Sequence, residues 1–223
     1  VFQLSSLDLP PPERPSFPLM FTGIVEETGT VLSFAKETAA YRLTVGADKV
    51  LGDLAIGDSI AVNGCCLTVV EFDGESLSFD LLEESVRLTS FREVSSGDLV
   101  NLESSARFND KIGGHFVTGH IDATGSVSHA EYRGSDLYLR VEPPAEFLRY
   151  LAYKGSVALN GVSLTVAEVD PTGFAVWLIP HTLEVTNLHA LRPGSLLNLE
   201  FDLLAKTVER LLPGQRPIER SAD

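Results

Sequence analysis

The sequence predicts an all-β protein of two tandem halves, each a small barrel or sandwich, followed by a C-terminal α-helix. Phe21-Thr-Gly-Ile-Val-Glu-Glu-Thr-Gly-Thr-Val31 returns 96 residues later as Val117-Thr-Gly-His-Ile-Asp-Ala-Thr-Gly-Ser-Val127. Asn63-Gly-Cys-Cys-Leu-Thr-Val69 and Gly97-Asp-Leu-Val-Asn-Leu-Glu103 each return 97 residues later, at Asn160 and Gly194. Three anchors in one register indicate duplication of a whole domain. Two similar halves imply two similar pockets and two similar ligands.

The strand prediction comes from short apolar or β-branched segments separated by turn residues. Gly29, Gly57, Asp73-Gly74 and Gly97-Asp98 mark the turns, and the regular spacing favours a small barrel or sandwich in each half. The segments of the first half are Thr30-Val-Leu-Ser33, Tyr41-Arg-Leu-Thr-Val45, Ser59-Ile-Ala-Val62, Leu67-Thr-Val-Val70, Ser76-Leu-Ser-Phe79 and Leu99-Val-Asn-Leu102.

Each half also carries one short helical patch, at residues 48–54 and 145–153. Their apolar positions align between the repeats and predict a helix face that closes one barrel end. The aligned residues are Val50, Leu51 and Leu54 in the first half and Phe147, Leu148 and Leu151 in the second.

A third helix is predicted over residues 203–213, after the second repeat, because apolar residues recur there at helical spacing before Pro213-Gly214. Its stripe consists of Leu204, Val208, Leu211 and Leu212. Two interpretations stay open: the helix packs on its own barrel, or it forms a subunit contact.

These features predict an N-terminal barrel over residues 20–115 and a C-terminal barrel over 116–202, with a tail at 214–223. Residues 1–19 hold five of the twelve prolines and match neither repeat, so we expect a flexible tail. They lack a basic start followed by an apolar core, which disfavours a secretory signal but does not exclude an organellar leader. Met20 is a candidate natural start.

Composition narrows the function classes. The formal net charge of −14 disfavours nucleic acid and anionic membrane surfaces as partners, because both reward clustered Lys and Arg. No apolar run is long enough to span a membrane. Cys65 and Cys66 are adjacent, so a disulfide between them is disfavoured, which fits a reducing cytoplasm.

Two sets of residues are candidates for chemistry. His115 and His120 flank Phe116-Val-Thr-Gly119, and Ile24 stands in the first half where His120 stands in the second. Each histidine is either a surface or hydrogen-bonded residue, or a proton shuttle.

The second set lies on matched strands. Cys66 aligns with Ser163, and Thr68 and Thr165 lie two residues further on, so each pair shares one strand face. Cys66 and Ser163 are either small buried residues or polar contacts to a ligand. Pairs of small polar groups suit the edges of a flat heterocycle.

Other common sites are disfavoured by their missing motifs. The cysteines are adjacent and the two histidines lie five apart with no carboxylate motif, so we expect no metal. No P-loop, Gly-x-Gly-x-x-Gly or Gly-x-Ser-x-Gly sequence occurs, so we expect no nucleotide cofactor and no nucleophile elbow.

Five motifs together resemble the riboflavin synthases of the alpha-chain type, from Met20 to about Leu212. They are Met20-Phe-Thr-Gly-Ile-Val25, Asn63-Gly-Cys-Cys-Leu-Thr-Val69, Gly113-Gly-His-Phe-Val-Thr-Gly-His120, Tyr153-Lys-Gly155 and Ser163-Leu-Thr165. The resemblance implies two six-stranded Greek-key barrels and a C-terminal helix that builds a homotrimer. The residues before Met20 depart from the family pattern.

The resemblance also implies a reaction without a cofactor. Two molecules of 6,7-dimethyl-8-ribityllumazine dismutate, and a four-carbon unit moves between them to give riboflavin and 5-amino-6-ribitylaminouracil. The site is expected where the N-barrel of one subunit faces the C-barrel of a neighbour. Which barrel holds the donor, whether Cys66 is a nucleophile or only a contact, and whether the chain associates with lumazine synthase all stay open.

Site residues carry over motif by motif. Those expected in catalysis are His120, Cys66, Ser59, Thr165, Ser163, Phe21 and His115. The N-barrel substrate contacts are Gly23, Ile24, Val25, Cys66, Leu67, Thr68, Asp80, Leu81, Leu82, Glu83, Glu84 and Ser85. The C-barrel contacts are Gly119, His120, Ile121, Ser163, Leu164, Thr165, Ile179, Pro180, His181, Thr182, Leu183 and Glu184, with Lys154 reaching a ligand across the subunit boundary.

Three other classes compete with the enzyme. The first is a non-catalytic lumazine- or flavin-binding relative with one eroded pocket. The second, a barrel flavoprotein reductase, would need an FAD motif and a nucleotide domain that the sequence lacks. The third is a structural pairing module, which only the acidic charge favours.

Overall fold

The computed structural model describes residues 20–38 and 40–212. The predicted tails at 1–19 and 214–223 lie outside these residues. Twelve strands form two closed six-stranded antiparallel barrels, which confirms the predicted fold class. Within the described residues, no helix has both the length and the apolar character needed to cross a membrane.

Both barrels have the same topology. The N-barrel has the strand order β1-β2-β5-β4-β3-β6 and the C-barrel the equivalent order β7-β8-β11-β10-β9-β12. The N-barrel strands are β1 (Glu27–Lys36), β2 (Tyr41–Gly46), β3 (Ser59–Val62), β4 (Cys65–Phe72), β5 (Ser76–Leu81) and β6 (Leu99–Ser104). Those of the C-barrel are β7 (Ala123–Arg133), β8 (Asp136–Glu142), β9 (Ser156–Leu159), β10 (Val162–Asp170), β11 (Gly173–Leu178) and β12 (Leu196–Phe201).

Each barrel encloses its own apolar core, because alternate residues of every strand point inward. Leu43 and Phe79 are fully buried in the N-barrel, and Leu139 and Phe174 in the C-barrel. The predicted helical patches form short 3-10 turns at Lys49–Leu51 and Ala145–Tyr150. All six aligned apolar residues of these patches pack against the core of their own barrel.

Three α-helices complete the fold of the described residues: α1 (Glu83–Leu88), α2 (Pro180–Val185) and α3 (Leu203–Leu211). The first two follow β5 and β11 at equivalent places, and neither was predicted as a helix. Helix α3 is tied to the C-barrel by polar contacts, in which Arg149 binds Glu209 at 2.8 Å and Lys206 binds Asp122 at 2.8 Å.

The apolar stripe of α3 faces away from its own barrel. The predicted stripe residues are 51–77% exposed. This exposure disfavours the interpretation that the stripe packs on its own barrel.

The barrels meet through two matched Asn-Gly turns and their asparagine side chains. Asn63-Gly64 joins β3 to β4 and Asn160-Gly161 joins β9 to β10, all four with positive φ, as the tightest hairpin turns require. The Asn101 amide donates to the Asn160 carbonyl oxygen at 2.9 Å. The equivalent Asn198 amide donates to the Asn63 carbonyl oxygen, also at 2.9 Å. This polar seam fixes one barrel against the other.

Candidate functional site

Two short segments cross between the barrels at the seam. We call residues 21–24 the first strap and residues 117–120 the second strap. They pair antiparallel through Phe21 and Val117, whose backbone groups exchange hydrogen bonds of 2.7 and 3.1 Å. Phe21 is fully buried between the barrels, in a small cluster with Ala61, Val117, Ala158 and Cys66.

Each strap docks on the other half's strand. The Ser163 amide of β10 donates to the Gly23 carbonyl of the first strap at 2.8 Å, and the Cys66 amide of β4 donates to the Gly119 carbonyl of the second strap at 2.8 Å. The approach requires glycine, because a Cβ on Gly23 would lie 2.6 Å from the Cβ of Ser163, and one on Gly119 would lie 2.5 Å from that of Cys66. The duplicated Thr-Gly motif therefore places the aligned Cys66 and Ser163 equivalently.

A buried carboxylate holds each strap from within its own barrel. Glu103 accepts hydrogen bonds from the Thr22 amide at 2.7 Å and the Thr22 hydroxyl at 3.0 Å, and from the Gly23 amide. Glu200 accepts from the Thr118 amide at 2.6 Å and the Thr118 hydroxyl at 2.7 Å, and from Gly119. Neither glutamate was among the residues predicted for the site. A signal was present, because the last strand of each repeat contains the same Asn-Leu-Glu sequence.

Burial shifts the titration of both glutamates. It raises the pKa of Glu103 to about 7, although the hydrogen bonds from Thr22 and Gly23 act in the opposite direction. Burial likewise raises the pKa of Glu200, against the hydrogen bonds from Thr118. Both carboxylates therefore take up protons more readily in the folded protein than in the unfolded chain.

This shift predicts a pH dependence of stability. The folded-state pKa of Glu103 lies above the unfolded value, so its contribution is fully present below about pH 4.3 and is lost as the pH rises through 7. We expect thermal melts to give a Tm that falls between pH 5 and 8, and to fall less in Glu103→Gln. Glu142→Gln, at an exposed position on β8, is the control and should keep the wild-type slope. A slope unchanged in Glu103→Gln would contradict this assignment.

The two candidate histidines differ in environment. The Nδ1 atom of His115 lies 2.7 Å from the Ser163 hydroxyl, and its backbone amide donates to the Thr22 carbonyl at 3.1 Å. Burial lowers the pKa of His115, against the opposing charge of Asp202, and favours a neutral ring. His115 is thus the hydrogen-bonded histidine of the two. His120 is exposed at the end of the second strap, directly after Gly119.

The cysteines are both free thiols. Burial raises the pKa of Cys66, and a hydrogen bond with Ser59, 2% exposed on β3, only partly offsets that effect. Burial also raises the pKa of Cys65 to about 12. A thiol with a raised pKa lacks the thiolate character of an activated nucleophile. The raised pKa of its buried thiol therefore favours a contact role for Cys66 over a nucleophilic one.

The candidate ligand-binding faces lie on the outside of the barrels. Thr68 and Thr165 are exposed beside Cys66 and Ser163, and so are Leu82 and Ile179 at the ends of β5 and β11. Some predicted contact residues belong instead to the barrel cores, so only their backbone could meet a ligand. These are Leu67 (7% exposed), Leu81 (1%) and Leu183 (9%).

The two faces contrast strongly at the aligned positions 80 and 177. Asp80 on β5 forms a two-pronged ion pair with Arg42, with distances of 2.6 and 3.2 Å. Its counterpart Trp177 on β11 packs edge-on against Tyr138 at 5.2 Å. Trp177 is the only tryptophan of the sequence, so it is an optical reporter for the C-barrel face.

Lys154 lies apart from the straps, in the exposed loop before β9. Its backbone φ is +65°, its amide donates to the Val166 carbonyl at 2.9 Å, and its ammonium lies 5.1 Å from the centre of the Tyr153 ring. The predicted contact of Lys154 with a ligand across a subunit boundary stays a prediction.

Comparison with known proteins shows the family of the chain. The model of the lumazine binding domain matches this chain twice, at residues 22–105 and 118–202. The riboflavin synthase of Actinobacillus pleuropneumoniae is 40% identical over 193 residues, covering 86% of this chain and 90% of that protein. The riboflavin synthase of Mycobacterium bovis is 42% identical over 198 residues, covering 86% and 98%.

Similar solved structures carry the same fold. LumP complexed with riboflavin has a TM-score of 0.76 and 29% identity, covering 82% of this chain and 99% of that chain. LumP complexed with 6,7-dimethyl-8-(1'-D-ribityl) lumazine has a TM-score of 0.73 and 29% identity, covering 81% and 98%. The matched domains coincide with the two barrels whose straps cross at the seam. The chain therefore belongs to the family of riboflavin synthases, with two lumazine-binding domains in tandem.

Proposed function

We propose that this protein is a riboflavin synthase, a transferase that dismutates two molecules of 6,7-dimethyl-8-ribityllumazine to riboflavin and 5-amino-6-ribitylaminouracil. The observation that carries the proposal is the symmetry of the two sites. Cys66 and Ser163 are held by equivalent glycine carbonyls at 2.8 Å, each beside an exposed threonine. Donor and acceptor are the same compound, and a duplicated site suits two copies of one ligand.

Proximity accounts for much of the expected rate. Holding two heterocycles face to face turns a bimolecular step into one within a complex, which lowers a barrier by as much as about 7–11 kcal/mol. The 7-methyl group of the lumazine is acidic because its anion delocalises into the ring. A base of moderate strength can therefore start the reaction, and we assign that role to His120, with His115 as the second choice.

The contacts support the other roles that we propose. Ser163 and His115 form one polar pair in the C-barrel, at 2.7 Å. The corresponding polar group of the N-barrel consists of Cys66, Ser59 and Thr68. Phe21 of the first strap is buried beside Cys66 and supports this group from within. The runs at residues 80–85 and 179–184 edge the two faces and supply the remaining substrate contacts.

We also propose a homotrimer in which the N-barrel of one subunit faces the C-barrel of the next. The exposed apolar stripe of α3, with Leu211 77% exposed, supports a subunit contact there. The free thiols of Cys65 and Cys66 support a reducing compartment such as the cytoplasm.

The direct test supplies purified protein with the lumazine alone. After dialysis against a chelator, and without nicotinamide, we expect the fluorescence of riboflavin to grow with time. A chain that begins at Met20 should do the same. If no flavin forms from either chain, the assignment is rejected.

A non-catalytic lumazine-binding protein is the second candidate, and the similarity to LumP favours it. The number of lumazines bound per chain separates the two functions. Calorimetric titration should give two per chain for the enzyme, whereas one per chain without riboflavin formation would favour the binding protein.

A further inference from the structure

We propose that Glu103 and Glu200 are crossed positioning residues: each carboxylate, from within its own barrel, holds the ligand-binding strand of the other barrel. The inference rests on the proposed function only for the identity of the ligand. The structural observation behind it is that two series of hydrogen bonds cross the seam between the barrels.

The first series of hydrogen bonds begins in the N-barrel and ends in the C-barrel site. Glu103 on β6 is 5% exposed and holds the amide groups of Thr22 and Gly23. The carbonyl of Gly23 then accepts the amide of Ser163, and that of Thr22 accepts the amide of His115. Glu103 therefore fixes both members of the His115–Ser163 pair without touching either.

The second series of hydrogen bonds begins in the C-barrel and ends in the N-barrel site. Glu200 on β12 is 2% exposed and holds Thr118 and Gly119. The carbonyl of Gly119 accepts the amide of Cys66. The Thr118 hydroxyl also lies 3.4 Å from the amide of His120, so Glu200 fixes the N-barrel strand together with the proposed base.

Both carboxylates act as acceptors in a way that a neutral amide cannot replace. Each binds two backbone amides and one hydroxyl. A glutamine at either position would turn an N–H group toward a strap N–H group, leaving buried donors without acceptors. The strap should then shift, and the strand of the opposite barrel should lose its backbone acceptor.

The experiment compares Glu103→Gln with Glu200→Gln in the full chain. Amide hydrogen exchange followed by NMR reports the Ser163 and Cys66 amides directly, and it needs no ligand. In Glu103→Gln we expect exchange at Ser163 to rise about tenfold, the scale expected for a buried hydrogen bond, while Cys66 keeps its wild-type rate. In Glu200→Gln we expect the reverse.

A second pair of variants keeps the test possible if the glutamine variants do not fold. Thr22→Val and Thr118→Val keep the shape of each strap and remove one of the three hydrogen bonds to its carboxylate. They should give the same crossed pattern with a smaller amplitude. If both glutamine variants fail to fold, the two valine variants decide the question.

Ligand binding supplies the functional readout. Quenching of Trp177 by lumazine reports the C-barrel face, and alkylation of Cys66 by iodoacetamide, located by mass spectrometry, reports the N-barrel face. We expect Glu103→Gln to weaken the quenching titration and leave alkylation unchanged, and Glu200→Gln to speed alkylation and leave the titration unchanged.

The inference is overturned if each variant loosens the strand of its own barrel, or if both strands loosen equally. That outcome would make the glutamates ordinary structural residues of their barrels. The test stays separate from the proposed function: if the unaltered chain forms no riboflavin while the exchange pattern is crossed, only the catalytic assignment fails.

Discussion

Replacing His120 by alanine is expected to lower kcat by about 10²–10⁴-fold, the usual contribution of a general base, with little change in KM. His120 is exposed and directly follows Gly119, whose carbonyl accepts a hydrogen bond from the amide of Cys66 on the N-barrel strand at 2.8 Å. The first strap has no histidine at the equivalent position, where Ile24 stands. Initial rates of riboflavin formation over a range of lumazine concentrations measure both constants.

Two control variants sharpen this prediction. Ile24→Ala truncates the equivalent position and should act mainly on KM, because its apolar side chain has no proton to transfer. His120→Gln keeps size and hydrogen bonding but not basicity, and should stay as slow as His120→Ala. Equal losses in kcat and in substrate affinity would make His120 a binding contact instead of a base.

Replacing Gly64 by alanine is expected to lower the free energy of unfolding by about 2–5 kcal/mol, from the strained backbone and the overpacked contact together. Gly64 has a φ of +77°, and a Cβ there would lie 2.6 Å from the backbone nitrogen of Gly161 and 2.8 Å from its Cα. Backbone atoms cannot rotate away as the end of a side chain can. The barrels must therefore separate locally, and both strap contacts should weaken with them.

Urea unfolding measures this loss, and Gly74→Ala is the matched control. A Cβ at Gly74 would meet nothing within 4 Å, so its stability should stay within about 0.5 kcal/mol of wild type. Gly161→Ala should reproduce the effect of Gly64→Ala from the other side of the seam. If Gly64→Ala proves as stable as Gly74→Ala, the close approach of the two turns does not hold in solution.

The sequence predicted the barrels because their signals are local. Short apolar or β-branched segments between turn residues indicate strands, and the six segments of the first half all lie within observed strands. The repeat then carried each assignment to the second half. The short helices α1 and α2 were not predicted, because their six residues make less than two turns, which is too short to show a helical period.

The crossing of the straps could not be predicted in this way. Alternation tells which face of a strand is buried, but not which barrel covers it. The repeat aligned Cys66 with Ser163 and Gly23 with Gly119. It does not tell whether a strap binds a strand of its own barrel or a strand of the other barrel. Glu103 was not predicted as a buried residue because a glutamate near the end of a strand ordinarily faces water.

The asparagine seam has a consequence for how the two halves of the gene can change. The Asn101 side-chain amide donates a hydrogen bond to a carbonyl of the second half, and the Asn198 side-chain amide donates one to a carbonyl of the first half. A substitution of either residue leaves an unpaired polar group in the opposite half, so these codons cannot drift independently. On the outer faces, by contrast, the aligned residues Asp80 and Trp177 already differ. We therefore expect differences between the two ligand sites to accumulate at the rims of the barrels sooner than at their junction.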